Sequence, residues 1–91
     1  MFRAAKKDVN HNEIADIFKK NGWSVLDVSQ LKKCCDMFIA KRGRTIAVEV
    51  KDGAKPPSAR KLTDGELIFA RNWNGEYRVI TTEQEALDLI T

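Results

Sequence analysis

The apolar positions of the chain follow two rhythms, one helical and one of strand spacing, and the rhythm changes at Asn21-Gly22. Before that point Val9, Ile14, Ile17 and Phe18 recur at helical spacing, and Asn21-Gly22 tolerates the left-handed backbone that stops a helix. WSVLDVS, Trp23 to Ser29, alternates and is rich in strand formers. After the polar QLKK come MFIA, KRGR and TIAVEV, which read as strand, tight turn and strand. DGAKPPSARK, Asp52 to Lys61, carries glycine, two prolines and a run of cations, the composition of an exposed loop. Thr63 with Glu66 has the form of a capping box opening a second helix through LIFARNW, which Gly75 ends. YRVI is a short strand, and Thr82 with Glu85 repeats the capping pattern before a last helix, EQEALDLI. The order is α-β-β-β-α-β-α: an α/β fold with a mixed central sheet flanked by helices, in one domain spanning residues 1–91.

Size and charge narrow this picture. A chain of 91 residues buries a modest core, so a partner subunit is expected to help, in the form of a homodimer. No apolar run reaches the ~20 residues of a membrane span, and MFRAAKKDVNHNE lacks a secretory apolar segment. The expectation is a soluble protein of the cytoplasm, or of the host cell interior if the chain is viral. The net charge of +3 and pI near 9.0 favour polyanionic partners. Cys34 and Cys35 are neighbours, too strained to bridge, and are expected to be free thiols in a reducing compartment. They make no zinc pattern with the single histidine, His11, which reads as an exposed polar residue near the start of the first helix. Phe69, Trp73 and Trp23 are expected to pack against the sheet.

The charged residues of the central strands change the picture more. If MFIA and TIAVEV form a hairpin with Arg42-Gly43 as its two turn residues, Lys41 faces Arg44 and Asp36 falls opposite Glu49. Lys51 then shares the face of Glu49, with Thr45 and Ala47, while Ile46, Val48 and Val50 make the other face apolar. A bulge would shift this register by one and carry Asp36 to the other side. The patch is either a solvated sheet face with a cross-strand ion pair or a site. Two carboxylates within hydrogen-bond range repel unless a cation sits between them, and a divalent metal resolves the conflict. Glu13, on the stripe of Val9 and Ile17, is a third candidate, as a helix-boundary carboxylate or as a ligand.

Asp36, then Glu49-Val50-Lys51 at the end of a hairpin, within this order of elements, resembles the PD-(D/E)xK nuclease superfamily with its restriction-endonuclease-like core. The nearest likeness is the stand-alone viral (phage) form of the VRR-NUC domain, with a helix-one Glu, an EVK strand, a basic Pro-containing loop and an LT helix opening, as in KPPSARKLTDGE. Cys35 stands where the superfamily name has proline, and Glu66 where such domains often carry glutamine. The resemblance covers about Asn12 to Ile90 and implies a Mg²⁺-dependent DNA endonuclease, with Mn²⁺ as substitute, and no small-molecule cofactor. It implies that Asp36, Glu49 and the Val50 carbonyl hold the metal, that Glu13 completes the site, and that Lys51 polarises the attacking water. Lys55, Ser58, Arg60 and Lys61 would contact DNA phosphates. With few side chains to read base edges, the expected substrate is branched DNA such as a four-way (Holliday) junction. The alternatives are a flap or nicking nuclease, or a non-catalytic nucleic-acid-binding module.

Overall fold

The computed structural model describes residues 7–91. The reading of the chain's first six residues lies outside them. The elements are α1 (His11–Lys20), β1 (Ser24–Asp27), β2 (Met37–Lys41), β3 (Arg44–Val50), α2 (Asp64–Asn72), β4 (Glu76–Ile80) and α3 (Glu83–Ile90), with a 3-10 turn at Pro57–Arg60. The expected order α-β-β-β-α-β-α is therefore observed. The four strands lie in the order β1-β2-β3-β4, antiparallel except for the parallel pair β3/β4, so the sheet is mixed.

α1 presents His11, Ile14, Ala15 and Phe18 to the sheet, the i, i+3, i+4, i+7 set of one helical face. These side chains meet Met37 and Ile39 of β2, Ile46, Val48 and Val50 of β3, Ile80 of β4 and Ala86 of α3, all at most 7% exposed. Each large aliphatic side chain buried there contributes about 1.5–3 kcal/mol. On the opposite face Phe38 meets Phe69 of α2 and Trp73 just past its end, with ring centroids 6.3 and 5.3 Å away, and Tyr77 joins at 6.1 Å from Phe69. Trp23 is buried as well, with the Arg44 guanidinium 5.9 Å from its ring centroid. The sheet is thus a middle layer between α1 with α3 and α2.

The hairpin has the expected turn. Met37 pairs with Val48 and Lys41 with Arg44, and Arg42 and Gly43 both take positive φ, 52° and 82°. That is the type I′ arrangement whose twist suits a two-residue connection. Beyond Met37 the pairing goes out of step. The Asp36 N–H donates to the Val48 carbonyl, the residue Met37 already faces, so two residues oppose one as at a β-bulge. Asp36 is therefore not simply opposite Glu49. Its carboxylate instead reaches along β3 and accepts the Val50 N–H at 2.7 Å.

Two caps with the same T-x-x-E pattern open α2 and α3. Thr63 and Glu66 form a complete capping box, whereas Glu85 reaches back to the Thr81 N–H rather than to Thr82. Gly53 is required where the chain leaves β3, because a Cβ there would collide with the Thr81 carbonyl oxygen, which accepts the Gly53 N–H.

Candidate functional site

Alternation along β3 sends Ala47, Glu49 and, just past the strand, Lys51 to the face opposite the apolar core. All three are nonetheless buried, at 0, 3 and 9% exposure. The Lys51 backbone is fastened on two sides: its N–H donates to Ile80 O at 3.0 Å, and its carbonyl accepts the Asn10 side-chain amide at 3.1 Å. Asn10 precedes α1 without capping it, because the same amide also spans to Thr81 O. The start of α1 is thereby stitched to the end of β3.

The Lys51 ammonium donates to Glu66 Oε1 at 2.8 Å and stands 3.9 Å from Glu49 Oε2. Burial pulls the Lys51 pKa down, but the bond to Glu66 and the charges of Glu66 and Glu49 outweigh it and hold the ammonium protonated. Glu49 is the opposite case. Burial first, then the neighbouring Asp36 and Glu66 carboxylates, raise its pKa far above the usual carboxylate range. Glu49 therefore carries a proton at neutral pH unless a cation replaces it. For Glu66, burial raises the pKa but the Lys51 and Thr63 hydrogen bonds win and lower it.

These groups open into a cleft of about 180 Å³ lined by Asp36, Glu49, Glu66, Lys33, Ser29 and Cys35 among others. The Cys35 thiol donates to Met37 O, and burial pushes its pKa up to about 12, so it is no nucleophile. Cys34 and Cys35 are both free thiols. Tyr77, opposite Ala47, places its buried hydroxyl without a hydrogen-bond partner. Burial, then Glu49 and Glu66, raise its pKa, so it stays a neutral phenol.

No family model, no curated protein and no solved structure matches the chain.

Of the expected site residues, Asp36, Glu49 and Lys51 do come together, and Val50 adjoins them through its N–H. Glu13 does not join. The buried face of α1 centres on residues 11, 14, 15 and 18, from which Glu13 lies about 150° round the helix at 100° per residue, exposed like Val9 (79%). The stripe through Val9, Glu13 and Ile17 was the wrong face. His11 stands where a helix-one ligand was sought, and the expectation of an exposed histidine is overturned: it is 1% exposed. Its Nε2 lies 3.1 Å from Asp27 Oδ2 and its Nδ1 3.9 Å from Asp36 Oδ1. The signal was the H-x-x-I-A-x-x-F spacing, which puts His11 in register with the true core stripe.

Lys55, Ser58 and Lys61 are exposed on the loop before α2, with Lys55 Nζ 3.9 Å from Asp8 Oδ1. Arg60 is half-buried, its Nε enclosed without a partner, and its charge is felt by Glu85. The cation that lines the cleft is Lys33, in a left-handed conformation (φ 56°) against Gly65, which has no side chain to obstruct it. In the sequence Lys33 is the second lysine of the polar stretch QLKK, which carries no other mark of a site.

Among the described residues, no three His, Cys, Asp or Glu side chains close on one point as a ready metal cage. The donor chemistry nevertheless fits a hard divalent cation. Asp36, half-buried, and Glu49, buried, supply two neighbouring carboxylates that cannot both ionise without a cation between them, and such ions bind through one or two carboxylates while keeping waters. No helix among the described residues is long and apolar enough to cross a membrane.

Proposed function

We propose that the chain is a metal-dependent DNA endonuclease with a restriction-endonuclease-like core, hydrolysing phosphodiester bonds of branched DNA such as four-way junctions. The observation that carries this reading is the set of three ionisable groups gathered at the end of one hairpin: Asp36 and Glu49 side by side on a polar cleft, and the Lys51 ammonium 3.9 Å from Glu49. A solvated sheet face would leave these side chains exposed, whereas Glu49 and Lys51 are nine-tenths buried. The likeness of the D…EVK pattern and the element order to the VRR-NUC domains of the PD-(D/E)xK superfamily supports the same chemistry.

In this reading Asp36, Glu49 and the Val50 carbonyl hold Mg²⁺ or Mn²⁺. When bound, the ion polarises a phosphate oxygen and acidifies water. Lys51, fixed by Glu66 and by its pinned backbone, donates to the phosphate oxygen that gains charge as the water oxygen attacks phosphorus and the P–O ester bond breaks. Lys33 and the loop cations Lys55, Arg60 and Lys61 attract the DNA backbone, and a twofold dimer presents two such clefts to opposed strands.

The test is a panel of fluorescent linear duplex, flap, fork and four-way junction DNA with Mg²⁺, with Mn²⁺ and in chelator. Cleavage of branched DNA that chelator stops is expected; no cleavage of any substrate with either metal removes the reading.

A further inference from the structure

An exposed leucine by itself says little, because apolar atoms make up much of any protein surface. Leu31 is 62% exposed, yet it lines the same cleft as Asp36 and Glu49 and is not among the side chains packed against the core. The loop that carries it, residues 28–36, is closed at its base by the Val28 N–H, which donates to the carbonyl of Asp36 itself at 2.9 Å. Within the loop the Leu31 N–H donates to Val28 O at 2.9 Å, and the Ser29 N–H and hydroxyl donate to Asp27 Oδ1 at 2.9 and 2.6 Å. Lys33 takes a left-handed backbone, φ 56°, with its side chain against Gly65 at the start of α2. Such a backbone costs a residue with a Cβ about 1–2 kcal/mol and persists only where its surroundings impose it. The apolar tip is therefore held at a set place beside the two carboxylates, with the exposed Lys32 and Lys33 next to it. On the same side of the sheet Leu26 of β1, the register partner of Phe38, is 63% exposed, because Phe69 covers Phe38 and leaves the edge strand bare.

An aliphatic tip flanked by two cations matches DNA whose phosphates lie within reach and whose base stack is open at one step. We propose that Leu31 is a wedge that inserts at an unstacked base step beside the phosphate the cleft receives, and so sets a preference for branch points over continuous duplex. Forcing an aliphatic side chain into an intact stack costs roughly a few kcal/mol. At a branch, fork or flap the step is already broken, so Leu31 gains its contact without that cost. The lysines attract the backbone of either DNA and carry no such discrimination. The inference rests on the DNA-binding part of the reading above but not on cleavage.

The test uses the full chain labelled with ¹³C at the leucine methyls, in chelator so that no strand is cut. It is titrated with a four-way junction and with a linear duplex of the same sequence, and the Leu31 methyls are assigned by their absence in Leu31→Ser. An upfield ring-current shift of those methyls is expected with the junction and not with the duplex; unshifted methyls in protein saturated with junction overturn the proposal. Equilibrium binding adds the specificity arm. Leu31→Ser leaves the backbone bonds of the loop in place and is expected to lower the ratio of junction to duplex affinity roughly tenfold, from the partial burial of one leucine, with the salt slope unchanged. Leu31→Met, which keeps an aliphatic tip, is expected to retain the ratio. Equal losses on both DNAs would make Leu31 structural only, and an unchanged ratio would leave the tip to a protein partner; either overturns the wedge. Binding of neither DNA overturns both this inference and the nuclease. Shifted methyls in a protein that no added metal makes cut DNA keep the wedge and reject the nuclease; junction cleavage by Leu31→Ser with the wild-type preference does the reverse.

Discussion

The two faces of β3 are almost equally dry and chemically opposite. Toward α1 and α3 stand Ile46, Val48 and Val50, each 0% exposed; toward α2 stand Ala47, Glu49 and the adjoining Lys51, at 0, 3 and 9%. What differs is the cover. On the first face three helix residues, Ile14, Ala15 and Phe18, close over the strand. On the second, α2 has no buried residue of its own and covers the sheet at its aromatic end through Phe69 and Trp73, leaving the Glu49 end to the cleft. Burial alone therefore does not distinguish core from site. The distinction lies in how the buried groups meet one another: on the second face Glu49 is crowded by the Asp36 and Glu66 carboxylates, and the Tyr77 hydroxyl has no hydrogen-bond partner.

Substitutions on the two faces should separate activity from stability. The largest effect is expected for Lys51→Met, which keeps the aliphatic stem and removes the ammonium: turnover should fall about 10²–10³-fold with cation and DNA binding retained. Single-turnover cleavage beside equilibrium binding checks this, and an equally active variant would show the lysine misassigned. On the other face Ile46→Ala should cost about 2–5 kcal/mol in urea unfolding without altering the affinity of the folded protein for Mn²⁺.

Glu49→Gln should move the two quantities in opposite directions. In the metal-free protein Glu49 is protonated when folded but has an ordinary value of 4.5 when unfolded, so folding at neutral pH takes up a proton. The stability tied to this group is complete below about pH 4.5 and drains away as pH rises toward its raised folded value. Asp27, Glu66 and Glu85, whose folded values are lowered, act the other way and lose their contribution as pH falls below the usual carboxylate range. Metal-free stability should thus peak near pH ~5. Glu49→Gln should flatten the alkaline limb, add on the order of 2–3 kcal/mol at pH 7, and abolish cleavage. Thermal unfolding across pH measures this, and an unchanged alkaline limb would mean that Glu49 is ionised in the fold.

The smallest effect concerns cations that lie on neither face. Neutralising Lys55, Arg60 and Lys61 together should reduce the slope of log affinity for DNA against log salt by about 2–3, and Lys33→Gln by about 1. A larger change from Lys33 alone would place the phosphate path in the cleft rather than along the loop.

Much of this was legible in the chain because period-two alternation and turn chemistry are local. The count from Met37 through Arg42-Gly43 to Val48 determined which side chains of β3 share a face, and Thr63 with Glu66 marked the start of α2. What escaped notice was tertiary. The stripe of α1 that meets the sheet is set by the sheet, and Val9 and Ile17 misdirected it toward Glu13 where His11 was the buried member. A bulge was open as an alternative to the simple register, but its place at Asp36 depends on the Val48 carbonyl accepting one donor out of step, which no spacing announces. Glu66 was legible as a cap and hidden as the partner of Lys51, because a helix start and a strand end meet only in the folded chain.

That last meeting has a consequence for signalling within the molecule. One oxygen atom, Glu66 Oε1, accepts both the Thr63 amide and the Lys51 ammonium, each at 2.8 Å. An anion that draws the ammonium toward the cleft leaves the oxygen to the amide alone. The opening turn of α2 is therefore coupled to the lysine, and the Thr63 amide resonance should shift when an anion enters the cleft that Thr63 itself helps to line.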